Sequence, residues 1–189
     1  KIASAGQPVL AMDVKIVDAN DQEVPPGTIG EIVTRGPHVM AGYWQKPDET
    51  ANALRGGWMH TGDIGYLDTD GFLFIVDRLK DMIISGGENI YSTEVEYVIY
   101  QHTAVADCAV IGIPHPKWGE SVHAIVVPKR DFTLTEEEII THCRQHIAAF
   151  KCPRSIDIRT DPLPMSGAGK ILKKVLRKPF WESKERQIN

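Results

Sequence analysis

The sequence is short of the features that announce a compartment or a partner. No apolar run is long enough to span a bilayer as a helix, so no transmembrane segment is expected. Basic charge is not in excess. Lys and Arg number 21 against 25 Asp and Glu, a net charge of −4, and nothing in that balance points to nucleic acid. Cysteine is scarce: Cys108, Cys143 and Cys152, with no CxxC or other metal-ligand spacing. An odd number of thiols, two of them in apolar patterns, reads as a reduced chain, cytoplasmic or otherwise intracellular, with no metal site. There is no signal peptide, but the first residue is Lys1 rather than Met, so organelle targeting is not observable from it. The last three residues, Gln187-Ile188-Asn189, are not a peroxisomal address. Internal repeats and low-complexity stretches are also absent.

What is present is ordinary globular material, 42% hydrophobic and 24% charged over 189 residues, enough for one large domain or two small ones. The first part reads as β structure. Met12, Val14 and Ile16 alternate with Asp13 and Lys15, and Glu31–Thr34 is a short strand stopped by Gly36-Pro37. Thr69-Asp70-Gly71 is a hairpin turn before the apolar run Phe72–Val76, which is expected to be buried on both faces. After Asp77-Arg78 the pattern changes. A strand over Met82–Ile84, a helix capped by Thr93 with Glu96, and strands at Cys108–Ile113 and His123–Val127 follow. A helix capped by Thr135 with Glu138 carries Ile139, Ile140, Cys143 and Ile147; then come a strand at Ser155–Ile158 and a final amphipathic helix with Ile171, Leu172, Val175 and Leu176. The basic residues Lys170, Lys173, Lys174, Arg177 and Lys178 are expected on a solvated face of that helix. The fold class is therefore α+β: a β-rich piece over 1–77, a joint at 78–81 and a small α+β domain over 82–189.

Three strings carry chemistry. In Gly57-Trp58-Met59-His60-Thr61-Gly62-Asp63, a carboxylate follows a Thr-Gly turn; an ionised Asp is acceptor-only and can take both hydroxyls of a ribose, although the same string also suits a strand-end turn. In Asp77–Ile90, DRLKDMIISGGENI, Arg78 can pair with Asp77 or Asp81, and Gly86-Gly87 lets the backbone approach a ligand or another chain closely, or makes a tight turn. In Leu163–Ile171, LPMSGAGKI, a P-loop would need Gly where Pro164 stands and Ser or Thr where Ile171 stands. Lys170 on this Gly-rich, mobile loop suits instead a transient cation facing charge that develops in a transition state. Weaker candidates read as structural: the calcium-like Asp68–Gly71 is a hairpin turn, His142 and His146 lack a third ligand, and Pro114–Glu120 is an inter-strand loop.

In this order and at these separations the strings resemble the C-terminal portion of the adenylate-forming superfamily of acyl-CoA synthetases, luciferases and nonribosomal adenylation domains. Ala41-Gly42-Tyr43-Trp44 and Val110–Pro114 also fit, and SGGENI with PHPKWGE is most similar to the fatty and aromatic acyl-CoA synthetases. The resemblance implies that residues 1–77 end the large AMP-binding domain and that 82–189 form its small, mobile C-terminal domain. It implies that Asp63 and Arg78 bind the nucleotide, that Lys80 is the hinge, and that Ser85, Gly86 and Gly87 line the pantetheine tunnel. Lys170 would be the catalytic adenylation lysine, also touching the nucleotide. Glu88 stands where some relatives carry an Arg, so that contact does not transfer.

The implied activity is an acid–CoA ligase of the AMP-forming kind, acting on a small carboxylic acid with ATP, Mg²⁺ and CoA. Its phosphate loop, its Mg²⁺-binding Glu and its acyl pocket are expected upstream of Lys1, in an N-terminal domain of the same polypeptide, so the 189-residue chain alone is not expected to turn over substrate. Two other readings compete: an adenylation enzyme that loads a carrier protein or oxidises the adenylate as luciferase does, and a non-catalytic binding module on the same fold.

Overall fold

The computed structural model describes residues 1–182; residues 183–189, with the C-terminal tripeptide, lie outside the described residues. The chain divides into two compact units, Lys1–Leu79 and Lys80–Asn189. Among the described residues no helix is long and apolar enough to cross a membrane.

The first unit is a four-stranded antiparallel sheet in the order β1 (Asp13–Val17), β2 (Gly30–Arg35), β3 (Met59–Leu67), β4 (Leu73–Arg78), with one short helix, α1 (Pro47–Ala53). Pro47 opens α1, where a missing N–H costs nothing. Ile16, Val17, Ile32, Val33 and Ile64 are the buried hydrophobic residues of this unit. Asp68 Oδ1 accepts the Asp70 and Phe72 N–H groups at 2.9 Å and closes the β3–β4 turn, so this acidic string is an Asx-type hairpin. The expectation that Phe72–Val76 is buried on both faces fails. β4 is the edge of its sheet and Ile75 is 57% exposed.

The second unit is built on a long antiparallel hairpin, β7 (Val105–His115) and β8 (Gly119–Pro128), paired almost throughout. β5 (Ile83–Ser85) and β6 (Glu88–Ile90) form a small hairpin that joins the start of β8, and β9 (Ser155–Ile158) runs parallel to β8 over His123–Val126. Among the described residues three helices pack here: α2 (Ser92–Tyr100), α3 (Glu136–His146) and α4 (Lys173–Trp181). Both faces of the hairpin are apolar. Cys108, Val110, Val122, Ala124 and Val126 face a cluster with α2 and α3 residues, and Ala109, Ile111 and Ile125 face a second with Leu163, Ile171 and Leu176. This is the continuous apolar pattern of a strand with no wet side. The three cysteines are free and buried, and burial pushes the Cys143 thiol up to about 12.

Thr135 caps α3 as read, with its Oγ1 accepting the Glu138 N–H at 3.3 Å and Glu138 Oε2 accepting the Thr135 N–H at 2.8 Å. The other cap is corrected. α2 begins at Ser92 without a side-chain cap, and Glu96 is committed to the Val110 N–H at 2.8 Å and to Lys173 at 2.6 Å. The last helix starts at Lys173 rather than at Ile171, which bridges to Met165. Val175 is 52% exposed, while Arg177 is buried, so the expected solvated basic face is only partly one. Lys173 and Arg177 turn inward because each has an acidic partner beneath it.

Arg177 donates to the Lys80 carbonyl and to Asp81 Oδ1, both at 2.6 Å, and ties α4 to the first residues of its unit. Both side chains of this pair are about nine-tenths buried. Truncating one partner would leave a buried charge uncompensated. Arg177→Ala is expected to lower the unfolding free energy by about 3–5 kcal/mol, read by urea denaturation, with Arg177→Lys in between.

Candidate active site

Asp63 and Arg78 are cross-strand partners on β3 and β4. Arg78 Nε lies 3.5 Å from Asp63 Oδ1, and both side chains are open to solvent. The bulge that presents Asp63 has a clear local cause. Glu31 pairs with Ile64 and Val33 with His60, so three residues of β3, Thr61-Gly62-Asp63, stand against Ile32 alone. The excess chain bows out, and its polar groups find partners. Thr61 Oγ1 donates to the Ile32 carbonyl at 2.7 Å and accepts the Asp63 N–H at 3.1 Å, while Gly62 N–H donates to Glu31 Oε1 at 3.1 Å. Gly62 sits at φ +71°, a conformation other residues adopt only with strain. The Thr-Gly-Asp string is thus a bulge inside a strand, not a strand-end turn. Arg78 chooses neither of the partners read for it: Asp81 is held by Arg177, and Asp77 accepts the Arg78 backbone N–H at 2.7 Å.

Lys80 is exposed and is the first residue of the second unit. Ser85, Gly86 and Gly87 make the β5–β6 turn, with Ser85 paired to Glu88 and φ values of +63° and +87° at the two glycines, as a two-residue type I′ hairpin requires. Gly86 lies against Trp118 of the β7–β8 turn: its N–H donates to the Trp118 carbonyl at 2.8 Å, and a Cβ at Gly86 would come 2.9 Å from the indole. Lys117 and Arg154 stand 4.6 and 5.4 Å from that ring. The Pro114–Glu120 loop is therefore a partner of the Gly86 turn, a pairing that neither string reveals alone.

Lys170 follows a tight turn rather than an open loop. Ser166 N–H donates to the Lys170 carbonyl at 2.8 Å, Gly169 N–H to the Ser166 carbonyl at 2.9 Å, and Lys170 N–H to Ser166 Oγ at 3.1 Å. Ile171 anchors the base of this loop in the second apolar cluster, beside Leu163 and Leu176. The Lys170 side chain is exposed and has no hydrogen-bond or ion-pair partner among the described residues. The structure thus brings Asp63 and Arg78 together in one unit, and holds Ser85–Gly87 and Lys170 on two turns of the other.

His142 and His146 point at backbone carbonyls, of Val98 at 2.9 Å and of His142 at 2.7 Å, which suits a structural role. Among the described residues, ligand atoms of Asp21, Glu31 and His60 gather within 4.8 Å of one another. Arg55 already enters that group, with Nε 3.0 Å from Asp21 and Nη2 3.3 Å from Glu31. Its guanidinium holds the Asp21 carboxyl below its ordinary pKa. The cluster joins β2 to β3 from residues far apart in sequence, and sequence reasoning missed it for that reason.

The family model for the AMP-binding enzyme C-terminal domain matches residues 94–170, and that for the AMP-binding enzyme itself matches residues 1–44. A feruloyl-CoA synthase from Amycolatopsis is 49% identical over 180 residues, 95% of this chain and 36% of the relative. A long-chain-fatty-acid–CoA ligase from Salmonella typhimurium is 48% identical over 174 residues, 92% of this chain and 31% of the relative. The crystal structure of ATP-bound MatB from Rhodopseudomonas palustris superimposes with a TM-score of 0.88 at 35% identity, covering 94% of this chain and 36% of that one. The chain spans about a third of the length of the curated relatives it matches.

The turn geometry separates the two glycines. Gly86→Ala meets both a left-handed φ and the indole of Trp118, whereas Gly87→Ala meets the φ alone, with nothing within 4 Å of its Cβ. Gly87→Ala is expected to cost about 1–2 kcal/mol, and Gly86→Ala measurably more, by chemical denaturation.

Proposed function

This chain belongs to the adenylate-forming, AMP-binding enzyme family, and on that premise we propose that it is part of an ATP-dependent acid–CoA ligase acting on a fatty or aromatic acid. The observation that supports this most is the Asp63–Arg78 pair, presented on a bulge whose own hydrogen bonds are satisfied elsewhere. An exposed carboxylate backed by a guanidinium can accept the two hydroxyls of a ribose while the Arg faces phosphate.

In the first step the carboxylate of the acid attacks the α-phosphate of ATP, pyrophosphate leaves, and an acyl-adenylate forms. Negative charge accumulates between the reacting groups. The Lys170 ammonium, which has no partner among the described residues, is the cation proposed to meet it. In the second step the thiol of CoA adds to the acyl carbonyl, a C–S bond replaces the C–O bond to phosphate, and AMP leaves. Here the Gly86-Gly87 turn is proposed to border the thiol's path, with Lys117 and Arg154 beside Trp118 placing positive charge for the phosphates of CoA. Rotation at Lys80, at the boundary of the two units, is proposed to exchange the two steps.

The Mg²⁺ that accompanies ATP finds no fitting site among the described residues, since the Asp21–Glu31–His60 group already contains the Arg55 cation. The acyl pocket is assigned to the other part of the same polypeptide. Three free, buried thiols support a reducing, intracellular location.

Lys170→Ala in the full-length polypeptide separates the half-reactions. Acid-dependent pyrophosphate release is expected to fall about 10²–10³-fold, while thioester formation from added acyl-adenylate and CoA stays at the wild-type rate. Equal loss of both would contradict a lysine that serves the first step alone.

A further inference from the structure

We infer that Glu31 is a positioning residue for Asp63: it grips the backbone of the β3 bulge from beneath and so aims the carboxylate that faces the nucleotide. The inference rests on the reading of Asp63 as a ribose-binding residue.

Glu31 lies on β2 with its side chain about nine-tenths buried. One oxygen, Oε1, accepts the Gly62 N–H at 3.1 Å, the residue immediately before Asp63. The other, Oε2, lies 2.8 Å from His60 Nδ1 and 3.3 Å from Arg55 Nη2. His60 is itself buried, its side chain 6% exposed, and it is the last β3 residue in register with β2 before the bulge. The carboxylate thus fixes both sides of the distortion: the imidazole where regular pairing stops and the amide at its apex. Arg55, which also holds Asp21 through two nitrogens at 3.0 and 3.1 Å, sets the carboxylate in turn.

The bulge needs such a grip. Gly62 carries no side chain to pack, its φ is positive, and the space around its Cβ position is empty within 4 Å. Apart from the Thr61 hydroxyl, the Glu31 contact is the side-chain restraint on the amide groups of Gly62 and Asp63. Without it the peptide before Asp63 is free to rotate, and a misplacement of about 1 Å in a group that orients a substrate can cost about two orders of magnitude in rate. Glu31 touches no substrate in this account; it acts through the direction of Asp63.

The test measures ATP affinity of the full-length polypeptide by calorimetry, with thermal unfolding alongside. Asp63→Ala is the reference. Glu31→Gln keeps an acceptor oxygen at the Gly62 N–H and removes the charge, whereas Glu31→Asp keeps the charge and withdraws it by one methylene. We expect Asp63→Ala and Glu31→Asp each to weaken ATP binding about tenfold or more, and Glu31→Gln to bind within about threefold of wild type. The Glu31→Asp/Asp63→Ala double variant is expected to bind no worse than Asp63→Ala alone, because Glu31 works only through Asp63. Additive losses, or weakened binding in Glu31→Gln with normal binding in Glu31→Asp, would overturn the positioning role and leave a purely structural or charge-balancing one. Normal ATP binding by Asp63→Ala would overturn the ribose reading and this inference with it. A loss in Asp63→Ala with both Glu31 variants unaffected would overturn this inference alone.

Discussion

The β7–β8 hairpin has to be covered on both faces, and the second unit is arranged around that requirement. Alternate residues of the two strands enter two separate apolar clusters, so neither face can be left to water without losing on the order of 1.5–3 kcal/mol for each large side chain exposed. α2 and α3 cover one face. α4 and the Leu163–Ile171 loop cover the other, with Leu163, Ile171 and Leu176 as their shared anchors. On the proposed account the chemistry depends on the second cover: Lys170 precedes Ile171, so the residue that packs against the sheet also fixes the base of the turn that displays the ammonium. The Arg177–Asp81 pair extends the same cover back to the first residues of the unit.

The first unit solves a different problem, the presentation of a carboxylate from within a strand. A flat strand would alternate Asp63 into a regular ladder with its neighbours. Three residues standing against Ile32 lift it out, and the Thr61 hydroxyl and the Glu31 carboxylate accept the amides left unpaired. The outcome is an acidic group beside Arg78 with little other demand on it. On the proposed account this unit holds the nucleotide and the other brings first a lysine and then a glycine turn.

Much of this was legible in the sequence, for reasons that differ by element. The strands of the β7–β8 hairpin announced themselves by apolar runs, and Thr135 with Glu138 by a spacing that only a helix start exploits. Lys170 and Asp63 stood out as candidates through their glycine-containing contexts. The misreadings share one cause, that a local pattern does not say what lies opposite. Thr93 and Glu96 have the spacing of a cap, but Glu96 is drawn to Lys173 and to the β7 backbone. Phe72–Val76 reads as doubly buried, but it is an edge strand. Arg177 looks like one more surface cation until Asp81 is seen beneath it. Glu31 and Arg55 carry no local signal for their contact with His60, because only the fold of the first unit brings the three together.

The account stands on one chemical claim, that the polypeptide containing this chain activates a carboxylic acid with ATP and passes it to CoA. The most direct measurement follows AMP and acyl-thioester formation by the full-length polypeptide over a panel of short, long and aromatic acids, with and without CoA. The account predicts AMP release that depends on a fatty or aromatic acid, and thioester only when CoA is present. Adenylate that is never passed to CoA would contradict the acceptor, and the absence of any acid-dependent AMP would contradict the activity itself.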